Sequence, residues 1–187
     1  MTDDVRLAEP SGGGSPRAGG SGRIQVRRDV IEEILDRVET DTTVERGGVL
    51  VGDVHEASGT TIITARIPAV GAVSDVASLK FTHETWDHVS TVLEEVHPGR
   101  RMVGWYHSHP NFGIFLSNHD QFIHNHFFNQ AWQVAYVVDP LLRQQGFFAW
   151  IEGQLVRVPS WHEWRTVLSQ TDAPIGTPSP RANRGTT

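Results

Sequence analysis

Between Gly104 and Asp120 the chain reads GWYHSHPNFGIFLSNHD, a stretch that concentrates His107, His109, Ser117 and Asp120. His107 and His109 stand two apart behind the apolar residues 102–106, so on an extended chain both rings leave the same face. Two imidazoles on one face can hold a single cation, at roughly 2.0–2.1 Å in the case of zinc. Pro110 ends that strand. Asp120 lies one turn into a helix that Ser117 could start, where its carboxylate can reach the strand end and complete a His107–His109–Asp120 set. A three-ligand set leaves a fourth position for water, the layout of a catalytic rather than a structural zinc. Zinc lowers the pKa of such a water to about 7, and a carboxylate within reach could take its proton for amide hydrolysis.

Plainer readings compete with this one. Ser117 and Asp120, three apart ahead of a helix, also match an N-cap with an acidic third residue. That leaves His107 and His109 unexplained on an apolar strand, where burying two imidazoles without partners is costly. Glu45 opens the apolar stretch 44–52, VERGGVLVG, either as a solvated strand end or as a catalytic carboxylate. Gly47 and Gly48 mark a bulge or a close backbone approach. His119, His124 and His126 read as helix surface, His83, His88 and His97 as exposed, and Trp86 as core. The chain has no cysteine, so any metal must be held by histidine and carboxylate, and a thiol nucleophile or disulfide is excluded. The HExxH helix and the His/Cys deaminase set are absent, and residues 110–116 lack the glutamate that a cupin would place there. A two-histidine, one-carboxylate iron oxygenase stays chemically open.

The elements that must position these groups follow from periodicity. Val30, Ile31, Ile34, Leu35 and Val38 recur at helical spacing, as do Trp86, Val89, Val92, Leu93 and Val96 in 83–96, which Pro98 and Gly99 stop. Residues 44–52 and 60–67 predict a hairpin across 55–59, followed by a loop at 71–78 and a short strand at 79–81. A helix runs on from Ser117 to Phe128, and 133–138 is a strongly apolar strand. An antiparallel pair, 147–151 with 155–158, turns at Glu152-Gly153. Ser160 and Glu163 have capping-box spacing, which predicts a short last helix.

The 187 residues, 38% of them hydrophobic, suit one domain, placed at 23–168 between Gly/Ser/Pro- and Thr/Pro/Gly-rich tails at 1–22 and 169–187 that are expected to be flexible. A formal charge of -6, with only the pairs Arg27-Arg28 and Arg100-Arg101 standing out, argues against a nucleic-acid surface. No signal-peptide pattern follows Met1 and no stretch is apolar enough to span a bilayer, so a soluble cytoplasmic protein with no membrane partner is expected.

Taken with Glu45 upstream, the run His107-Ser108-His109-Pro110, the seven residues from Pro110 to Leu116, then Ser117 and, three on, Asp120 resemble the signature of the JAMM metalloproteases, the catalytically competent MPN domains. GWYHSHP, FGIFLSNHD and the VVDP of 137–140 carry the resemblance across roughly residues 24–158. It is closer to the branch of the proteasome-lid deubiquitinase and the signalosome isopeptidase than to the DNA-repair-associated branch. The resemblance implies an α+β fold, a curved mixed β-sheet flanked by helices of the cytidine-deaminase-like kind. It implies one zinc ion per chain on His107, His109 and Asp120, with Glu45 as the base that activates water and Ser117 as the group that stabilises the tetrahedral oxyanion. The implied activity is zinc-dependent hydrolysis of the isopeptide or peptide bond after the C-terminal tail of ubiquitin or a ubiquitin-like protein, in deconjugation or precursor processing. Two features depart from the family: Ile114 stands before Phe115 where many members have a cysteine, and the long C-terminal helices of complex-bound relatives are missing, which predicts a free-standing enzyme or one that uses its tails to find a partner. A non-catalytic MPN scaffold that binds protein partners is the alternative; it has no physical need of an open metal site.

Overall fold

The structure is a computed structural model and describes residues 23–75 and 78–166; the expected tails at 1–22 and 169–187 lie outside the described residues. Its frame is an eight-stranded mixed sheet. In chain order its strands are β1 (Ile24–Arg27), β2 (Gly47–His55), β3 (Thr60–Pro68), β6 (Arg101–Ser108), β7 (Val134–Asp139), β8 (Gln144–Ile151), β9 (Gln154–Arg157) and β10 (His162–Trp164). Their spatial order is β10-β1-β3-β2-β6-β7-β8-β9. A separate two-stranded ribbon joins β4 (Val73–Asp75) to β5 (Ser78–Lys80), and the helices are α1 (Arg28–Glu39), α2 (His83–Val96) and α3 (Asn118–Phe127). The fold is α+β with a curled mixed sheet, as the family resemblance implied. Among the described residues no helix is long and apolar enough to cross a membrane.

The two-residue period of the strands distributes side chains between two cores. Leu50, Tyr106 and Tyr136 point to the α1 side, where they meet Val30, Ile31, Ile34 and Val38. Val49, Trp105, Ala135 and Val137 point to the other side, where Val89 of α2 and Ile123 of α3 cover them. Helix α1 has no side-chain cap at its N-cap residue Arg27, so packing carries it. Burial of its four core side chains contributes roughly 1.5–3 kcal/mol each. On the central strand β6 this alternation places His107 on the Trp105 side, and Trp105 and His107 lie flat on one another.

Gly47 and Gly48 are required by close approach. A Cβ on Gly48 would collide with the Ile67 carbonyl and meet Tyr106 ring atoms at 2.7 and 2.8 Å, so a side chain there would push β2 away from both neighbours. The bulges of β2 lie further along, at Val51/Gly52 against β3 and Leu50/Val51 against β6.

Three elements differ from expectation. The short helix predicted from Ser160 and Glu163 is instead strand β10, paired parallel with β1 in the register Gln25↔His162. Trp161 packs edge-on against Phe147 with centroids 5.1 Å apart, and Glu163 pairs with Arg28 at 3.0 Å. The open edge of β1 and these contacts outweigh the local capping signal. Strand β1, only four residues long, and strand β4, inside the predicted loop 71–78, are additions that short runs do not announce.

Candidate metal centre

Strand β6 carries His107 and ends at Ser108, so His109 follows it by one residue and Pro110 by two. His109 N–H donates to the Val138 carbonyl at 2.8 Å, which holds the chain against the end of β7 for one residue beyond the strand. Helix α3 begins at Asn118 with Ser117 as N-cap. The Ser117 hydroxyl accepts the Asp120 N–H at 3.2 Å, and Asp120 Oδ2 accepts the Ser117 N–H at 2.7 Å. The plain capping reading of this pair is therefore correct. It also aims the Asp120 carboxylate, whose Oδ1 lies 3.4 Å from His107 Nε2 and whose Oδ2 lies 3.3 Å from His109 Nε2.

The two Nε2 atoms are 3.0 Å apart. The two histidine contacts use different Asp120 oxygens, and with one ligand atom taken from each residue the three atoms lie within 4.8 Å of one another, a spacing that a small shift of the carboxylate would bring to the roughly 3.3 Å edges of a tetrahedral zinc site. His107, His109 and Asp120 form a buried group able to hold a metal ion. Glu45 is also buried, at 3% exposure, with Oε1 3.6 Å from His109 Nε2. Its Oε2 is buried and lacks a hydrogen-bond partner among the described residues, which suits a carboxylate facing a small polar reactant.

Glu45 belongs to no strand; it precedes β2 and is brought to the site by Ser108. Arg46 N–H donates to Ser108 Oγ at 2.9 Å, and Ser108 N–H donates to the Arg46 carbonyl at 2.8 Å. Glu45 N–H donates to the Asp75 carbonyl of β4 at 2.9 Å. Thus the residue between the two histidines ties the carboxylate to them across 62 positions of sequence. Its signal was present in the HSH run, a hydroxyl on the opposite face from two imidazoles.

The charges tune one another. Burial raises the Glu45 carboxyl to about 7, with His109 opposing the shift and Asp120 adding to it. Burial would also raise Asp120, but hydrogen bonds from His107, His109 and Ser117 hold it well below the usual carboxylate range. His107, fully buried, has a lowered pKa. For His109 burial acts the same way, but Asp120 and Glu45 outweigh it and the net shift is upward.

The loop between His109 and Ser117 is clamped from β7. Asp139, fully buried, accepts backbone N–H groups from Asn111 at 3.0 Å and Gly113 at 2.7 Å, and also from Leu141 and Leu142. This is the physical role of the VVDP run. Replacing Asp139 by Asn should remove the Gly113 acceptor and the charge behind the others, a loss of about 2 kcal/mol for a hydrogen bond to an ionised group. Urea unfolding and faster amide exchange at Gly113 would report it; unchanged exchange would discount the clamp. Phe112 and Phe115, on the same loop, are exposed, and Phe115 leans on His109 with centroids 4.6 Å apart.

His124 corrects an expectation. It was read as helix surface but is fully buried, and its Nδ1 accepts the Trp105 Nε1–H at 3.1 Å. Its spacing of four from Asp120, which puts both on one face of α3, was the available signal. His126 is exposed and His119 half-buried, with Nε2 3.2 Å from the Leu79 carbonyl. Burial among Trp105, Phe128 and Trp150 pushes the His124 pKa down to about 4. Between its ordinary value near 6.5 and 4 the unfolded chain binds a proton that the folded chain refuses, so stability rises with pH across that window. In the presence of chelator, lowering pH from 7 to 5 should remove about 2 kcal/mol through this group alone. His124→Asn, whose Oδ1 can stand in for Nδ1, should flatten that part of the profile in urea unfolding, and an identical pH loss in both proteins would clear His124 of it.

Comparisons with known proteins place the chain in a family. The family model described as JAB1/Mov34/MPN/PAD-1 ubiquitin protease matches residues 20–133. The chain is 32% identical over 112 residues to the NAD(+) hydrolase TcpA of Theionarchaea archaeon (strain DG-70-1), covering 57% of this chain and 32% of that protein. It is 31% identical over 102 residues to COP9 signalosome complex subunit 5 of Drosophila melanogaster, covering 53% and 31%. With the 26S proteasome non-ATPase regulatory subunit 14 of Dictyostelium discoideum it shares 28% identity over 116 residues, covering 61% and 37%. The chain thus spans about a third of the length of these relatives. The solution structure of protein DSY2949 from Desulfitobacterium hafniense matches with a TM-score of 0.57 at 16% identity, over 76% of this chain and 95% of that one, a likeness of fold. On the match of the family model over most of the described domain, the chain belongs to the JAB1/Mov34/MPN/PAD-1 ubiquitin protease family.

Proposed function

We propose that the chain is a zinc-dependent isopeptidase that hydrolyses the bond after the C-terminal tail of ubiquitin or a ubiquitin-like protein, with residues 23–168 as the catalytic unit. The observation that carries this reading is the convergence of His107, His109 and Asp120 within 3.0–3.4 Å of one another, with the Glu45 carboxylate 3.6 Å from His109. His107 Nε2, His109 Nε2 and an Asp120 oxygen would hold one zinc. A zinc ion bound there supplies a Lewis acid that makes a water molecule acidic near neutral pH. Glu45 then serves as general base: a carboxyl lifted by burial toward neutrality takes a proton from the attacking water and can return it to the leaving amine. The Ser117 hydroxyl already accepts the Asp120 N–H, so its own hydrogen is free to donate to the carbonyl oxygen as negative charge develops there. The similarity to signalosome and proteasome subunits supports a ubiquitin-like substrate. The NAD(+) hydrolase name describes an archaeal protein of which the match covers a third.

The test is a panel of ubiquitin-like fusions incubated with zinc-loaded protein, with and without chelator. Cleavage after the tail that chelator abolishes and zinc restores is the expected result. Uniform resistance of the panel to protein carrying stoichiometric zinc would sink the proposal.

A further inference from the structure

We infer that Trp105, anchored by His124, is a positioning device for the His107 ring, so that α3 orients the first histidine of the metal centre as well as supplying its carboxylate. The inference rests on the metal reading above. A metal-ligating imidazole ordinarily donates its second ring N–H to a carbonyl or carboxylate, and that bond fixes the plane of the ring. His107 has no such bond: its Nδ1 is buried and without a hydrogen-bond partner among the described residues. Something else must fix a side chain whose Nε2 is to point at a cation with an error of a few tenths of an ångström.

Trp105 provides the surface. The His107 and Trp105 rings are nearly parallel, 11° between planes with centroids 4.4 Å apart, and Phe128 backs Trp105 from 5.9 Å at 14°. A stack alone lets rings slide over one another. The indole is stopped from sliding by its Nε1–H, donated to His124 Nδ1 at 3.1 Å, with both side chains fully buried. Because indole N–H only donates, His124 must accept through Nδ1 and carry its proton on Nε2. Among the described residues that Nε2–H has no partner, and it is buried beside Trp150 at 5.3 Å. An aliphatic residue would fill the same space with no donor of its own but would leave the buried Trp105 Nε1–H unsatisfied, so what the histidine adds is the acceptor nitrogen. His124 lies one turn along α3 from Asp120. A shift of α3 therefore moves the carboxylate ligand directly and the His107 plane through Trp105.

The experiment measures zinc affinity by chelator competition, the visible spectrum of the cobalt-substituted protein, and unfolding of the metal-free full chain. His124→Leu should bind zinc roughly ten- to a hundredfold more weakly, the range seen when a group orienting a ligand is removed, and should alter the cobalt bands. His124→Asn, which keeps an acceptor at the Nδ1 position, should recover affinity to within about threefold of the original. Trp105→Phe keeps a ring against His107 and removes the donor; it should lose about tenfold, with little further loss when combined with His124→Leu. If His124→Leu does not fold, Trp105→Phe decides alone. Unchanged zinc affinity and cobalt spectrum in folded variants would overturn the positioning role while leaving the metal centre intact. Failure of the unaltered chain to take up zinc would overturn the proposed function and this inference together.

Discussion

Glu45→Gln should leave zinc uptake within about twofold of the unaltered chain and lower kcat on a cleavable ubiquitin-like fusion by roughly 10²- to 10⁴-fold, the usual contribution of a positioned base. The substitution keeps volume and one acceptor oxygen, so the buried contacts of the 3%-exposed side chain survive. The Glu45 N–H to Asp75 and the Arg46–Ser108 pairing are backbone-anchored and do not depend on the carboxylate. What disappears is the capacity to accept a proton, at the one position where burial holds a carboxyl at about 7 beside the metal ligands. KM should change little, since on the proposed mechanism Glu45 acts on the reacting water rather than on the substrate tail. A variant with matching metal content and normal kcat would remove Glu45 from the mechanism, and one that loses both metal and activity would reassign it as a ligand.

How much of this could be read before the structure depends on the range over which each signal acts. His107, His109, Ser117 and Asp120 sit within fourteen positions of one another, and both the strand period and the capping box are local rules; these four meet as read. Even the choice between helix cap and metal ligand at Asp120 dissolves, because the carboxylate that caps α3 is the one placed beside both imidazoles. Glu45 is different. Its arrival depends on a pairing between Arg46 and Ser108 that no periodicity encodes, so the residues alone left it open between solvated strand end and catalytic carboxylate, and the family resemblance favoured the second. Strands β1 and β10 were illegible for a related reason: they are four and three residues long, and β1 is a strand because β3 offers it an edge, as β10 is because β1 does. His124 was misread because histidine is a common surface residue on a helix. The partner that makes its burial tolerable, Trp105, belongs to β6.

Asp120→Asn should fold and fail to hold zinc. The amide oxygen can take over acceptance of the Ser117 N–H, and the Asp120 N–H to Ser117 Oγ bond is untouched, so the start of α3 survives. The amide nitrogen is then turned toward His107 Nε2, the atom that Asp120 Oδ1 faces at 3.4 Å. With the carboxylate gone, a divalent ion would lie among neutral ligands in a nearly dry site. Leaving a buried charge short of its counter-charge costs about 3–5 kcal/mol. At about 1.4 kcal/mol per decade that is roughly two to three and a half decades of zinc affinity. Ser117→Ala is the matched control: it removes the cap oxygen for about 1 kcal/mol of stability and should leave zinc affinity nearly unchanged while slowing hydrolysis. The pair therefore separates two functions that the capping box fuses. If Asp120→Asn weakens zinc no more than Ser117→Ala does, the carboxylate is only a helix cap, and the two imidazoles must find their third ligand elsewhere.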